Sequence, residues 1–107
     1  MPKYVVLPEA AEDLTRIGRF TAEKWGVRQA ERYLSTLQAT FRLLAERPSA
    51  GRDRSDDIGA GYMSFVQGSH VIYFKKTDNG IAIAAILHQS MIPQKHLLPK
   101  SSAENRS

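Results

Sequence analysis

The spacing of hydrophobic and polar residues along this chain predicts most of its secondary structure. The run from Ile81 to Leu87 is apolar at odd and even positions alike, and it is rich in isoleucine. A short run without alternation is typical of a strand that is buried on both faces. Such a strand needs a neighbour on each side, so the sequence predicts that it lies inside a sheet.

The neighbours of this central strand are predicted from three further β-prone runs. They are Tyr4–Leu7, Tyr62–Val66 and His70–Lys76. Gly68-Ser69 and Asn79-Gly80 are hairpin-turn signals, because glycine and asparagine accept a positive φ. An apolar strand at the edge of a sheet invites aggregation. The first run is therefore predicted to cover the free side of the central strand.

Two segments after the first strand repeat their apolar residues at helical spacing. Pro8 is favoured in a first helical turn, and the stripe that follows ends at Trp25-Gly26. The second stripe runs from about Val27 to Arg47 and stops at Pro48. The tight link predicts an antiparallel helical hairpin. The expected fold is β-α-α-β-β-β, an α+β class in which the hairpin packs on a mainly antiparallel four-stranded sheet.

A long connection and a polar tail complete the predicted organisation. Residues 48–61 are expected to form a loop that Ile58 pins to the core. A chain of 107 residues suits a single core. We expect residues 1–99 to form one domain and residues 100–107 to be a disordered tail.

The two faces of the predicted sheet give the main functional indication. Two helices cover one face, yet the central strand is apolar on both. A contiguous exposed apolar patch usually marks an interaction site. We therefore expect the face opposite the helices to be covered by another protein.

Composition narrows the possible functions. The chain has no cysteine, which excludes disulfides and thiolate metal sites and suits the cytoplasm. Its net charge of +4 weakly favours an acidic partner. No apolar run approaches the ~20 residues of a membrane span. His70, His88 and His96 share no short metal-ligand spacing, so we expect no metal and no cofactor.

Candidate catalytic groups are sparse. The sequence has no Gly-x-Ser-x-Gly elbow. RNA cleavage would need a basic cluster with a proton donor beside the phosphate. Arg52 and Arg54 lie on the predicted loop, but three neighbouring aspartates balance their charge. We expect a protein that is not an enzyme.

Several strings along the chain together resemble the ParE toxins of bacterial toxin–antitoxin systems, within the RelE/ParE superfamily. Their order and spacing carry the resemblance, which runs from about Tyr4 to Leu98. The strings are Ala10-Ala11-Glu12-Asp13-Leu14, Trp25-Gly26-Val27-Arg28-Gln29-Ala30, Phe41-Arg42-Leu43-Leu44-Ala45, Pro48-Ser49-Ala50-Gly51-Arg52, Ser64-Phe65, Gly68-Ser69-His70-Val71-Ile72-Tyr73-Phe74 and Ile86-Leu87-His88.

This resemblance implies a cytoplasmic toxin that inhibits DNA gyrase and is neutralised by a cognate ParD-like antitoxin. The pair would contact DNA only through the antitoxin. Candidate gyrase contacts are exposed and chemically distinctive: Arg52, Arg54, His88, Ser90, Met91, Pro93 and His96. Candidate antitoxin-binding residues are aromatic or apolar: Phe20, Trp25, Tyr33, Phe65, Ile72 and Phe74.

Two alternative functions stay open within the superfamily. RelE-type members cleave mRNA on the ribosome and use basic residues with a tyrosine or similar group near the C-terminus. In this sequence no tyrosine follows Tyr73. Ser90 stands where many relatives carry an arginine, which leaves open a non-toxic relative that binds an antitoxin.

Overall fold

A computed structural model describes residues 3–97, and the helices and strands follow the predicted order. The tail predicted for residues 100–107 lies outside the described residues. The elements are β1 (Lys3–Val6), α1 (Pro8–Trp25), α2 (Val27–Glu46), a 3₁₀ turn (Pro48–Ala50), β2 (Arg52–Asp53), β3 (Tyr62–Gln67), β4 (His70–Thr77), β5 (Gly80–His88) and α3 (Pro93–Leu97). No helix in this range is long and apolar enough to cross a membrane.

Strand β5 lies inside the sheet, as its apolar pattern predicts. Within the described residues the sheet has the strand order β1-β5-β4-β3-β2. β1 pairs with β5 in parallel, with Tyr4 opposite Ile81, and the other pairs are antiparallel. Ile83, Ala85 and Leu87 are all buried, because the helices cover one face of β5 and the Ile58 connection with α3 covers the other. The α+β class and the position of the first strand are confirmed.

The sheet has one strand more than the four that the sequence predicts, because the connection before β3 is partly ordered. Strand β2 pairs with Ser64 and Met63 at the outer edge. Gly51 permits this close approach, since a Cβ there would lie 2.5 Å from Cζ of Phe74. A two-residue strand has no hydrophobic periodicity, so the sequence pattern could not reveal it.

The helical hairpin packs across one face of the sheet and encloses the main core. Gly26 has a φ of 100°, a left-handed conformation that lets α1 turn directly into α2. Phe41 of α2 meets Tyr4 of β1 edge-on, with 5.4 Å between the ring centroids. The largest fully buried side chains are Phe41, Phe74, Leu37, Leu44, Ile72, Ile81 and Ile83.

A β-bulge divides the β4–β5 ladder into two registers. Near the turn, Phe74 lies opposite Ile83, but the next residue back, Tyr73, lies opposite Ala85. Ala84 is therefore an extra residue, and it shifts the alternation of β5 by one position. This is why side chains three positions apart, Ile83 and Ile86, both belong to the core under the helices.

Beyond the bulge, one backbone donor of β5 is satisfied by a side chain. β1 pairs with β5 only as far as Ile83, opposite Val6. The N–H of Ile86 instead donates to Oδ2 of Asp13 in α1, at 3.0 Å in a buried position. The other oxygen of Asp13 forms an ion pair with Arg16, three residues further along the helix. These contacts tie the middle of α1 to the end of β5.

The face of the sheet opposite the helices is largely covered by the chain itself, so the prediction of a wide apolar face open to a partner is wrong. Ile58, from the connection before β3, is 2 % exposed and packs with Tyr73, Ala85 and Leu87. Leu97 of α3 packs against the same cluster. The expectation that Ile58 pins the loop is confirmed, and this anchoring is what covers the face.

Replacing Asp13 by alanine removes the acceptor for the N–H of Ile86 and leaves a buried donor unsatisfied. Such a group costs about 1–3 kcal/mol, so the free energy of unfolding should fall by about that amount in urea denaturation. Glu12→Ala, at an exposed position one residue earlier, is the matched control and should change it by no more than about 0.5 kcal/mol. Equal losses in the two variants would contradict this role of Asp13.

Candidate partner-binding groove

An open, mainly apolar groove lies on the helix-bearing side of the sheet, where β4 begins and β5 ends. Its volume is about 770 Å³. α1 contributes half of the lining residues, and the rest come from the start of α2, the β3–β4 turn with the first residue of β4, the last residues of β5 and Met91. The lining residues are Asp13, Arg16, Ile17, Arg19, Phe20, Thr21, Glu23, Trp25, Gln29, Tyr33, Ser69, His70, Ile86, Leu87, His88 and Met91.

The apolar character of the groove comes mainly from the second half of α1. Ile17 is buried there, whereas Phe20 and Trp25 are 62 % and 68 % exposed. Met91, just after β5, is also exposed to water. Apolar side chains gathered around a concavity are typical of an interaction site. The groove is therefore the candidate surface for a partner, and it lies on the face of the sheet opposite to the one predicted.

A hydrogen-bonded tyrosine and histidine form the polar end of the groove. The hydroxyl of Tyr33 donates to the backbone carbonyl of Gln67 at 3.0 Å. The same oxygen lies 2.7 Å from Nδ1 of His70. Because the hydroxyl has one proton and gives it to the carbonyl, His70 must donate its Nδ1–H to Tyr33. The hydrogen-bond network thus assigns the Nδ1–H tautomer to neutral His70.

His88 lies directly opposite His70 on the neighbouring strand. The two rings meet edge-on, with 5.7 Å between their centroids. Nδ1 of His88 accepts the backbone N–H of Ser90 at 3.1 Å, so the proton of the neutral ring is on Nε2. The hydroxyl of Ser90 lies 2.8 Å from the same nitrogen. The histidines therefore hold opposite tautomers and are fixed by different partners.

Burial changes the titration of two groups at this end of the groove. The pKa of His70 is lowered, first by desolvation and then by the neighbouring His88. Burial raises the pKa of the Tyr33 phenol, and a hydrogen bond to Ser69 partly offsets the effect. Tyr33 thus keeps its proton near neutral pH, as the assignment of the His70 tautomer requires. Within residues 3–97, no cluster of three or more histidine, aspartate or glutamate side chains could hold a metal ion.

Comparison with known proteins identifies the family of this chain. A family model described as the ParE toxin of type II toxin-antitoxin system, parDE, matches residues 4–93. The chain belongs to the ParE toxin family. It is 36 % identical to Toxin ParE1 of Caulobacter vibrioides, over 91 % of this chain and 99 % of that protein. It is also 36 % identical to Toxin ParE1 of Mycobacterium tuberculosis, over 89 % of this chain and 97 % of that protein.

A solved structure confirms the fold of this ParE toxin. The structure is described as the chromosomal ParDE TA system from P. aeruginosa, and it superposes with a TM-score of 0.69. The match covers 82 % of this chain and 96 % of that chain, at 18 % sequence identity. This chain is therefore the toxin component of a type II toxin–antitoxin system, with the fold of its family.

The residues predicted to bind an antitoxin separate into two groups. Three aromatic side chains line the groove together: Phe20, Trp25 and Tyr33. Phe65 is only partly buried but packs against the main core. Ile72 and Phe74 are 0 % exposed, because their side of β4 lies under the helices. These last two therefore present no surface to a partner, and the prediction that they do is corrected.

The residues predicted to contact gyrase lie in two segments of the chain, residues 52–54 and residues 88–96. Arg52 lies on β2, three strands from β5, which is roughly 14 Å at the usual spacing between strands. His88 and Met91 line the groove, and Ser90 is hydrogen-bonded to His88. Pro93 and His96 are on α3. The sheet separates Arg52 from His88, but α3 contacts the loop that follows Arg54, since Nε2 of Gln94 donates to the backbone carbonyl of Asp57 at 2.9 Å.

Arg54 is held within the fold rather than presented to a target. Its Nε and Nη2 donate to the carboxylate of Asp57, at 3.0 and 2.6 Å, and its Nη1 donates to the hydroxyl of Ser64 at 3.1 Å. Its guanidinium lies 5.7 Å from the centroid of the Tyr73 ring. The hydrogen bonds to Arg54 lower the pKa of Asp57. An arginine–aspartate network therefore orders this loop.

The sequence did not predict that Ile17 and Ile86 line the groove. It also did not predict that His70 pairs with His88. The helical stripe of α1 carried a signal for Ile17. No sequence pattern indicates the pairing of the two histidines. If β4 and β5 paired regularly from their turn onward, His70 would lie opposite Leu87. The bulge at Ala84 shifts the register by one residue and places His88 there instead.

Substituting alanine separately for Arg54 and Arg52 tests the difference between these two loop arginines. Arg54→Ala removes charge-assisted hydrogen bonds and packing on Tyr73, and it should lower the free energy of unfolding by about 1–2 kcal/mol. Arg52→Ala, at an exposed position, should change it by no more than about 0.5 kcal/mol. Chemical denaturation measures both. An Arg54→Ala variant as stable as Arg52→Ala would refute the structural role of Arg54.

Proposed function

We propose that this ParE toxin acts by binding DNA gyrase rather than by catalysis. We further propose that a ParD-like antitoxin neutralises it by placing an amphipathic segment in the groove. The observation that carries the proposal is the family match over residues 4–93, together with the open apolar groove of about 770 Å³ beside α1.

The dimensions of the groove support a helical segment as its occupant. Ile17 and Trp25 are eight residues apart on α1, which corresponds to about 12 Å or two helical turns. A helix laid alongside could insert apolar side chains at the usual i, i+3, i+4 and i+7 spacing. A strand has less to pair with here, because the N–H of Ile86 is already engaged by Asp13.

Several basic and aromatic side chains already have hydrogen-bond or ion-pair partners within the fold, which supports binding to a target protein rather than RNA cleavage. Arg54 is bonded to Asp57, and Arg16 is paired with Asp13. The hydroxyl of Tyr33 is held between Gln67 and His70. A nuclease needs cations free to meet phosphate and a proton donor free to meet the leaving group. These groups are committed to partners within the fold.

Competition between the two partners explains how the antitoxin neutralises the toxin. His88 and Met91 are candidate gyrase contacts, and both line the groove. An antitoxin segment in the groove would cover them. Arg52, Pro93 and His96 lie outside the groove lining, so we propose them as the further part of the target surface.

A negative charge introduced into the groove should weaken antitoxin binding. Phe20→Asp removes an aromatic anchor, and burial of such a side chain is worth about 1.5–3 kcal/mol. The dissociation constant for the antitoxin encoded beside the toxin gene should therefore rise by at least about tenfold in isothermal titration calorimetry. Val66→Asp is the matched control, because Val66 is 62 % exposed on β3 outside the groove lining, and its affinity should stay near that of the wild type.

Two results would contradict this assignment of the groove. One is a Phe20→Asp variant that binds as tightly as the wild type. The other is an equal loss of affinity in the Val66→Asp variant, which would indicate a general effect of the added charge.

The gyrase proposal predicts a direct effect on supercoiling. The purified toxin in micromolar excess should inhibit supercoiling of relaxed plasmid by gyrase. Adding the antitoxin first should prevent the inhibition, because it occupies the groove. Normal supercoiling combined with cleavage of mRNA on translating ribosomes would contradict the proposal and favour the nuclease alternative.

A further inference from the structure

The histidine pair in the groove has a feature that binding an apolar segment does not require. His70 and His88 are titratable rings in direct contact, 5.7 Å apart between centroids, and both line the groove. An apolar floor would serve an apolar partner equally well. Histidine is the side chain whose ordinary pKa lies closest to physiological pH, so a pair of these rings in a binding groove is a feature that needs a reason.

The hydrogen bonds of the pair decide where an added proton goes. Nδ1 of His70 already carries a proton and gives it to Tyr33, so a second proton must bind Nε2. Nδ1 of His88 accepts the N–H of Ser90, so protonation there removes the acceptor of that hydrogen bond. Protonation of either ring places a cation at the apolar groove, and protonation of both places two cations beside each other.

The other charged groups of the groove do not neutralise the pair. α1 contributes Asp13, Arg16, Arg19 and Glu23 to the lining, and α2 contributes the Tyr33 phenol, which is neutral near pH 7. Asp13 is already committed to Arg16 and to the N–H of Ile86. The remaining lining charges, those of Arg19 and Glu23, have opposite sign. The groove lining therefore has no excess of carboxylates that could balance a positive charge on the two histidines.

We propose that the His70–His88 pair makes occupancy of the groove pH-dependent, so that the antitoxin segment binds when both rings are neutral and binds more weakly when they are protonated. The inference rests on the proposed function, because it concerns the same groove and the same partner. It adds a proton as a second ligand that competes with the antitoxin.

Proton linkage gives the direction of the effect. Covering the groove removes the rings from water, which disfavours their charged forms. The free toxin then binds more protons than the complex, so affinity must fall as pH falls. The pKa of His70 is already below its ordinary value in the free toxin, so its part of the effect develops on the acid side of neutral.

The test compares antitoxin affinity at two pH values in the wild type and in glutamine variants. Excluding one proton from an ordinary histidine lowers affinity by about tenfold between about pH 7.5 and about pH 5.5. We expect a loss of about that size for the wild type in calorimetry at constant ionic strength. The double variant His70→Gln and His88→Gln should lose less than about threefold, because glutamine keeps hydrogen-bonding groups but does not titrate.

His96→Gln is the matched control, because His96 is exposed on α3 and does not line the groove. It should retain the loss of the wild type. Equal affinity at the two pH values in the wild type would overturn the proposal, as would an equal loss in the double variant. Absence of binding at either pH would instead defeat the proposed function of the groove itself, so the two failures are distinguishable.

Discussion

The hydrogen bond between Asp13 and the N–H of Ile86 links the parts of this fold that form the groove. It is needed because β1 ends before β5 does, which leaves a donor inside the protein without a strand partner. A buried donor must be satisfied, and α1 provides the acceptor. The same contact fixes α1 across the end of the sheet. The groove lies between that helix and the last residues of β5.

The bulge at Ala84 determines which side chains of β5 face the groove. One extra residue reverses the direction of every side chain that follows it in β5. Ile86 and His88 therefore point to the helix side, and His88 meets His70 across the ladder. A partner in the groove would touch apolar α1 on one side and two titratable rings on the other. Packing against α1 and protonation of the two histidines would thus act on the same surface. This is the basis for the proposal that antitoxin binding depends on pH.

Elements with strong periodicity could be predicted from the sequence, whereas features that depend on single residues could not. The two helical stripes, the hairpin turns and the buried character of β5 all follow from local patterns, and their arrangement follows from the need to cover β5. The bulge has no such pattern, and without it the histidine pairing is invisible. The covering of the second face depends on Ile58 and Leu97, two isolated side chains whose contacts are set by tertiary structure. For that reason the open surface was expected on the wrong face.

The central claim is that the groove beside α1 is where the antitoxin binds. Amide hydrogen exchange of the free toxin and of the toxin–antitoxin complex tests it most directly, since exchange reports which backbone segments become protected. The predicted result is new protection in the second half of α1, from Ile17 to Trp25, and in the segment from Ile86 to Met91. Protection confined to the Ile58 loop and α3, with the groove segments unchanged, would contradict the account.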